Sequence, residues 1–172
     1  TKLKDLEYLG PTMPPIFGNI GNTISWNGLS ISARLSYEFG FYFRRESIDY
    51  SRLLSLNGHK DYERRWQKPG DELITDVPSF IYPLNTLRNS FYYNSAVLAE
   101  KGDNIRFQYL TLGYTWTPHK RKIKRGVEIR VNLSVNNIGI IWRANKKGID
   151  PDYTSYTIPP SRAYSIGLNI KF

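Results

Sequence analysis

The chain has no cysteine among its 172 residues, which excludes disulfide staples and thiolate metal sites and says little about compartment. It has no apolar run approaching the roughly 18 residues a membrane-crossing helix requires. That absence leaves membrane barrels open, because their strands alternate and score as only mildly hydrophobic. Residues 1–15, TKLKDLEYLGPTMPP, lack the apolar core of a secretory leader, so the expectation is either a cytoplasmic protein or an exported one for which Thr1 is not the natural start. Histidine is scarce, with His59 and His119 alone. No G-x-S-x-G, H-E-x-x-H or glycine-rich phosphate loop occurs, so the expectation is that the protein is not an enzyme and carries no cofactor or metal.

What the chain does have is tyrosine, 13 against 8 Phe and 4 Trp. Each phenol needs a polar partner or a wet edge, which is unusual for a simple buried core. The formal charge of +9 is local: residues 44–104 hold nine Lys/Arg and nine Asp/Glu, whereas TPHKRKIKRG at 117–126 alone holds five cations. A basic turn between strands, without interleaved aromatics, argues against nucleic-acid binding. It fits a solvated turn or one that touches anionic lipid heads.

The clearest element is a hairpin. Ile20, Ile24 and Trp26 share one face of a strand over about 16–26, Asn27-Gly28 supplies a two-residue type I′ turn, and the return strand is expected over 29–43. In that return strand Leu29, Ile31, Ala33, Leu35, Tyr37, Phe39, Phe41 and Phe43 fall on one face at period two. A two-residue loop sets Trp26 opposite Leu29, so the apolar faces of the two strands coincide. About 15 residues is long for a soluble strand and favours one that crosses a bilayer.

Three more strands are expected over about 105–116, with Leu110, Leu112, Tyr114 and Trp116 on one face, over 127–141, and over 162–172. Between them lie a loop over 44–104, with short helices expected near 58–66 and 83–91, and a second loop over 142–161. Connections that alternate between short and long are the topology of outer-membrane barrels. With the Asn27-Gly28 turn periplasmic, the C-terminus is periplasmic too. Trp26, Trp116 and Phe172 then form an aromatic girdle, with Leu35, Tyr37, Phe39 and Tyr114 facing lipid. This parity also puts His59 and His119 on opposite sides of the membrane.

These segments resemble the SusC/RagA-type TonB-dependent transporters. The resemblance rests on YLGPTMPPIFGNIGNTISWNGLSISARLSYEFG, RWQKPGDE…TDVPSF, NIRFQYLTLGYTW and GIDPDY…PPSRAYSIGLNIKF, in order along nearly the whole chain. NNIGIIW departs from the aromatic-rich stretch usual there. The resemblance implies an all-β, antiparallel up-and-down transmembrane barrel of roughly 22 strands, of which this chain supplies about five, the plug domain lying elsewhere. It also implies import of large nutrients, oligosaccharides or peptides. The implied partners are the remaining strands and plug, a SusD-like surface lipoprotein lid, TonB, outer-membrane lipid, and the barrel-assembly machinery, which would read Gly167, Ile170 and Phe172.

Tyr62, Trp66, Tyr153 and Tyr156 are candidate stacking residues for substrate, although packing within the loop core is the favoured reading of them. Asp150 and Asp152 form a D-x-D that could hold calcium, though two carboxylates are few for that ion. A soluble antiparallel binding or adhesin module and a non-energised porin share the same alternation and stand as alternatives.

Overall fold

The computed structural model describes residues 6–53, 55, 57–117, 127–154 and 157–172. The basic turn and Tyr156 lie outside the described residues. Five strands form one antiparallel sheet in the order β1-β2-β5-β6-β7, with β1 Ile16–Trp26, β2 Leu29–Phe39, β5 Asn104–Trp116, β6 Glu128–Arg143 and β7 Ala163–Lys171. A two-stranded ribbon, β3 Tyr42–Arg44 with β4 Ala99–Lys101, stands apart.

The hairpin turn forms as its residues dictate. Asn27 and Gly28 both take positive φ, 47° and 85°, the pair of left-handed conformations a type I′ turn needs. A Cβ on Gly28 would lie 2.6 Å from the Thr115 carbonyl oxygen, so the turn is also pressed against β5. Trp26 then pairs with Leu29 and Ile24 with Ile31. The register carries on across the sheet: Ile31 faces Leu112, Leu112 faces Leu133, and Leu133 faces Ile166. One row lower, Leu29, Tyr114, Val131 and Leu168 align in the same way.

The same pairing collects the polar residues on the opposite face. Thr23, Ser32, Thr111, Ser134 and Ser165 form one row. Thr23 and Ser32 hydroxyls lie 2.8 Å apart, and those of Ser134 and Ser165 2.6 Å apart. Higher up, Gln108 donates to the Ser36 hydroxyl at 2.7 Å and the Arg34 guanidinium sits 5.2 Å from the Tyr109 ring centroid.

The apolar face is bare. Ile24 is 68% exposed, Trp26 77% and Ile166 80%. The buried core side chains among the described residues, Phe41, Ile48, Tyr50, Val77, Tyr92 and Leu98, lie instead between β2 and β5 in sequence. Ile48, Tyr50, Val77, Tyr92 and Leu98 form one cluster, against which Leu53, Tyr62, Phe80 and Leu84 pack. The water-excluding core of this chain is therefore in a loop, not under the sheet.

The return strand is shorter than its alternation suggested. β2 stops at Phe39, because Gly40 takes φ 83° and its N–H donates to the Asp103 carboxylate at 2.6 Å. Phe41 leaves the exposed face and is buried, against a Gly102 so close that a Cβ there would lie 2.3 Å from its ring. Tyr42 and Phe43 continue into the β3–β4 ribbon, a neck that carries the loop head. Two short helices grow within that head, α1 Tyr50–Leu53 and α2 Thr86–Tyr93, the latter capped by the Asn85 side chain accepting from the Arg88 N–H at 3.1 Å. A 3₁₀ turn covers Lys60–Arg64.

Strand β6 also departs from simple alternation. Asn137 and Gly139 take positive φ, 54° and 121°, and the β5–β6 register shifts between Phe107 and Tyr109 and again between Ile105 and Arg106. Such bulges let a strand re-aim its side chains. The result extends β6 two residues beyond the expected end and sets Trp142 opposite Ile105, on the apolar face. There the Trp142 and Phe39 rings meet edge to face at 6.2 Å, and Phe39 stacks on Tyr37 at 5.6 Å.

Leu98 has no exposed surface and sits where the loop head meets its neck. Leu98→Ala is expected to lower the local stability of segment 44–103 by about 3 kcal/mol, while β1, β2 and β5–β7 keep their pairing. Hydrogen exchange of the full-length protein checks this: exchange should rise in the loop head alone.

Candidate functional site

The loop end of the sheet, opposite the Asn27-Gly28 turn, gathers the polar and titratable groups. Its most solid feature is a buried ion pair. Arg45 Nη1 donates to Asp61 Oδ2 at 2.9 Å with both side chains nearly fully buried, and the Arg45 Nε lies 3.6 Å from Glu100. Ser47 Oγ donates to the same Asp61 oxygen at 2.7 Å and shares a 2.7 Å hydrogen bond with the Tyr92 hydroxyl. His59 caps the 3₁₀ turn, its Nδ1 accepting from the Asp61 N–H at 3.1 Å. The network joins the neck, the 3₁₀ turn and α2, which are distant in sequence.

Burial alone would raise the Asp61 carboxyl. The hydrogen bonds from Ser47 and Arg45, with the Arg45 charge, outweigh it and hold the group below the usual aspartate range. In the apolar cluster, burial pushes the Tyr50 phenol up to about 12. It stays a neutral donor to the Pro78 carbonyl.

A second charged knot fastens the loop that follows β6. Arg106, on the polar face of β5, holds Asp150 through both guanidinium Nη atoms, at 3.1 and 2.7 Å, and Asp152 at 2.7 Å. The two carboxylates of the D-x-D are thus spent on a guanidinium. No group of three or more metal-ligating side chains occurs among the described residues. Asn145 closes the same loop, donating to the Ile149 carbonyl at 2.9 Å and accepting from its N–H at 3.0 Å.

The four aromatics singled out in the sequence do not share one place. Tyr62 packs against the loop core and lies 3.9 Å under the Arg65 guanidinium. Trp66 is part-exposed, its backbone N–H bonded to the Val77 carbonyl at 2.9 Å and its indole N–H to that of Lys68. Tyr153 is half-buried in the other loop, its ring centroid 6.0 Å from the Arg106 guanidinium. Tyr156 lies outside the described residues.

Sequence reasoning missed an open cleft of about 600 Å³ between α1 and α2, lined by Asp49, Arg52, Asn57, His59, Asn89 and Tyr93 among others. Its walls come from segments roughly 30 residues apart, and only His59 had been noticed. Of the groups expected on the apolar face, Trp26, Tyr114 and Trp116 cluster at the turn end and are all about half exposed or more. Phe172 is 82% exposed, one residue beyond β7. Leu35, Tyr37 and Phe39 stand further up the same face, part-shielded by their neighbours. Gly167 pairs with Asn132 on the polar face, and Ile170 with Ile129 on the apolar one.

An all-antiparallel sheet with one apolar and one polar face, and polar loops gathered at one end, fits the wall of an outer-membrane β-barrel. Comparison with known proteins points the same way. No family model matches the chain, and no curated protein matches it. Among solved structures, the chain is similar to one in the RagAB peptide importer, captured in an "open-open" state. The TM-score is 0.64 at 25% identity, over 94% of this chain. The match spans 17% of the importer chain's length. It supports a distant relation to that importer.

Asp61 gives the loop head a pH dependence of known sign. Its folded pKa is lowered, so its stabilising contribution is fully present above the usual aspartate range and is lost as pH falls through the lowered value. Hydrogen-exchange protection of residues 59–66 should therefore decline progressively as the pH drops below the usual aspartate range. In Asp61→Asn, which removes the closer of the two carboxylates beside the buried Arg45 and leaves only Glu100, protection should already be weakened at neutral pH by about 3 kcal/mol.

Proposed function

We infer that this chain is part of an outer-membrane transporter that imports large nutrients, peptides or oligosaccharides, in a TonB-dependent manner. The observation that carries the reading is the sheet itself: an unburied apolar face in register over five strands, backed by a hydroxyl-rich face. Its fold is shared with a peptide importer over 94% of the chain. A soluble sandwich would bury the apolar face under a second sheet; here the face is exposed.

The dimensions support a bilayer setting. β2 runs from Leu29 beside the Trp26 and Tyr114 rings to Phe39 beside Trp142. Ten residue steps make about 33 Å along the strand, and a tilt of about 40° projects this to about 25 Å, the height of the apolar band of outer-membrane barrels. Aromatic rings stand at both ends of that interval.

In this reading β1 and β7, each paired on one side only, continue into further strands of a larger barrel, because open edges in lipid would leave backbone groups unsatisfied. The hydroxyl-rich face lines the lumen. The loop head and the Arg106-fastened loop stand at the outer mouth, beside a SusD-like lipoprotein lid. The C-terminus is periplasmic, with Gly167, Ile170 and Phe172 serving assembly. Catalysis has no part in this account.

The test uses the native protein. It should fractionate with outer membranes and show heat-dependent mobility on gels, and its deletion should abolish uptake of labelled oligopeptides or oligosaccharides in a manner that needs the proton gradient. A soluble protein, or uptake indifferent to deletion, would sink the reading. Leu133 sits at the middle of the apolar face, and Leu133→Arg there is expected to cost about 2–4 kcal/mol in lipid, read as reduced assembly into the outer membrane. Ser134→Arg, one residue on and facing the other way, should assemble normally.

A further inference from the structure

A smaller cleft, of about 210 Å³, opens between the two long loops. Four cationic side chains line it, Arg45, Lys60, Arg64 and Lys147, against two carboxylates, Glu46 and Asp61. The carboxylate of Asp61 is turned to its own network, bonded to Arg45 and Ser47. Lys60, Arg64 and Lys147 are exposed at the rim and have no ion-pair partner among the described residues. His59, also on the lining, accepts from the Asp61 N–H through Nδ1.

The cluster is a product of the fold. Within residues 44–104 the acidic and basic residues balance in number. The local excess arises because the 3₁₀ turn points Lys60 and Arg64 to one side, and because the Arg106–Asp150–Asp152 knot fastens the neighbouring loop so that Lys147 and Ile149 close the cleft. Three unpaired cations around a concave opening raise the local concentration of anions and favour a carboxylate over a neutral group. The volume has room for an acidic side chain and its waters, while the half-buried Ile149 offers a short apolar contact beside it.

We propose that the cleft between the two loops, rimmed by Lys60, Arg64 and Lys147, binds a carboxylate group of the imported oligomer and gives the transporter a preference for acidic cargo. This rests on the import reading above. The source of the carboxylate is an acidic peptide or a uronic-acid oligosaccharide, which share this chemistry.

The experiment is calorimetric binding to the purified full-length transporter, with oligoglutamate, oligogalacturonate and an uncharged serine–glycine peptide as probes. One or both acidic probes should bind, more tightly than the uncharged peptide. Which of them binds identifies the source. Binding should weaken as salt is raised from about 50 to about 500 mM. Arg64→Gln combined with Lys147→Gln should weaken acidic binding about tenfold or more at an unchanged melting temperature, both side chains being exposed. A Lys101→Gln control, outside the cleft, should bind as the wild type does. Acidic binding unaltered in the double variant, or no preference for acidic probes, overturns the proposal and leaves the import reading standing. So does binding only to vesicles of anionic lipid. Binding of acidic probes by a protein that imports nothing would instead overturn the import reading and keep the site.

Discussion

Everything in this structure depends on keeping one two-residue period in register across five strands. A strand slipped by a single position would throw its whole apolar set to the other face. Ile24, Ile31, Leu112, Leu133 and Ile166 stay in one row because each hydrogen-bonded pairing passes the register to the next strand. The Asn27-Gly28 turn starts the count. With the faces so separated, most of the apolar side is left bare by the described residues. In the proposed membrane setting, lipid covers the apolar side without a second layer of protein.

That constraint accounts for where the ordinary protein core went. A sheet that leaves its apolar face bare cannot anchor its loops by packing beneath them, so the long loop carries its own core around Tyr50, Tyr92 and Leu98. The neck formed by β3 and β4 attaches it, and the Arg45–Asp61 pair ties the head to the neck. Burying such a pair costs desolvation that geometry must repay. Here Ser47 adds a second hydrogen bond to the carboxylate oxygen that Arg45 holds, and His59 accepts from the Asp61 backbone N–H. The loop thus carries a buried core of its own, mounted on a sheet whose apolar face is exposed.

The described part of the second loop is fastened by charge. Arg106 reaches from the polar face of β5 to both Asp150 and Asp152. A D-x-D in a loop invites a reading as a cation site, yet the cation that satisfies it belongs to the chain. The bond also positions the loop that carries Lys147 beside the one that carries Lys60 and Arg64, so a knot in the strand shapes the opening between the loops.

The sequence by itself determined the hairpin, its turn type, the pairing of Trp26 with Leu29, and the sorting of residues to two faces, since these follow from local conformation and a fixed period. It also marked both long loops, where Pro, Gly and charge interrupt that period. It misjudged the reach of β2, because Phe41 and Phe43 preserve the alternation while Gly40 breaks the strand by a left-handed turn held from Asp103. It left Trp142 in a loop, because two bulges in β6 rewrite the parity that counting assumes. Only the tertiary structure decided that Tyr62 packs into a loop core, that Arg106 claims the D-x-D, and that cations from two loops meet. Those facts turn on contacts between residues far apart in the chain, which no local pattern encodes.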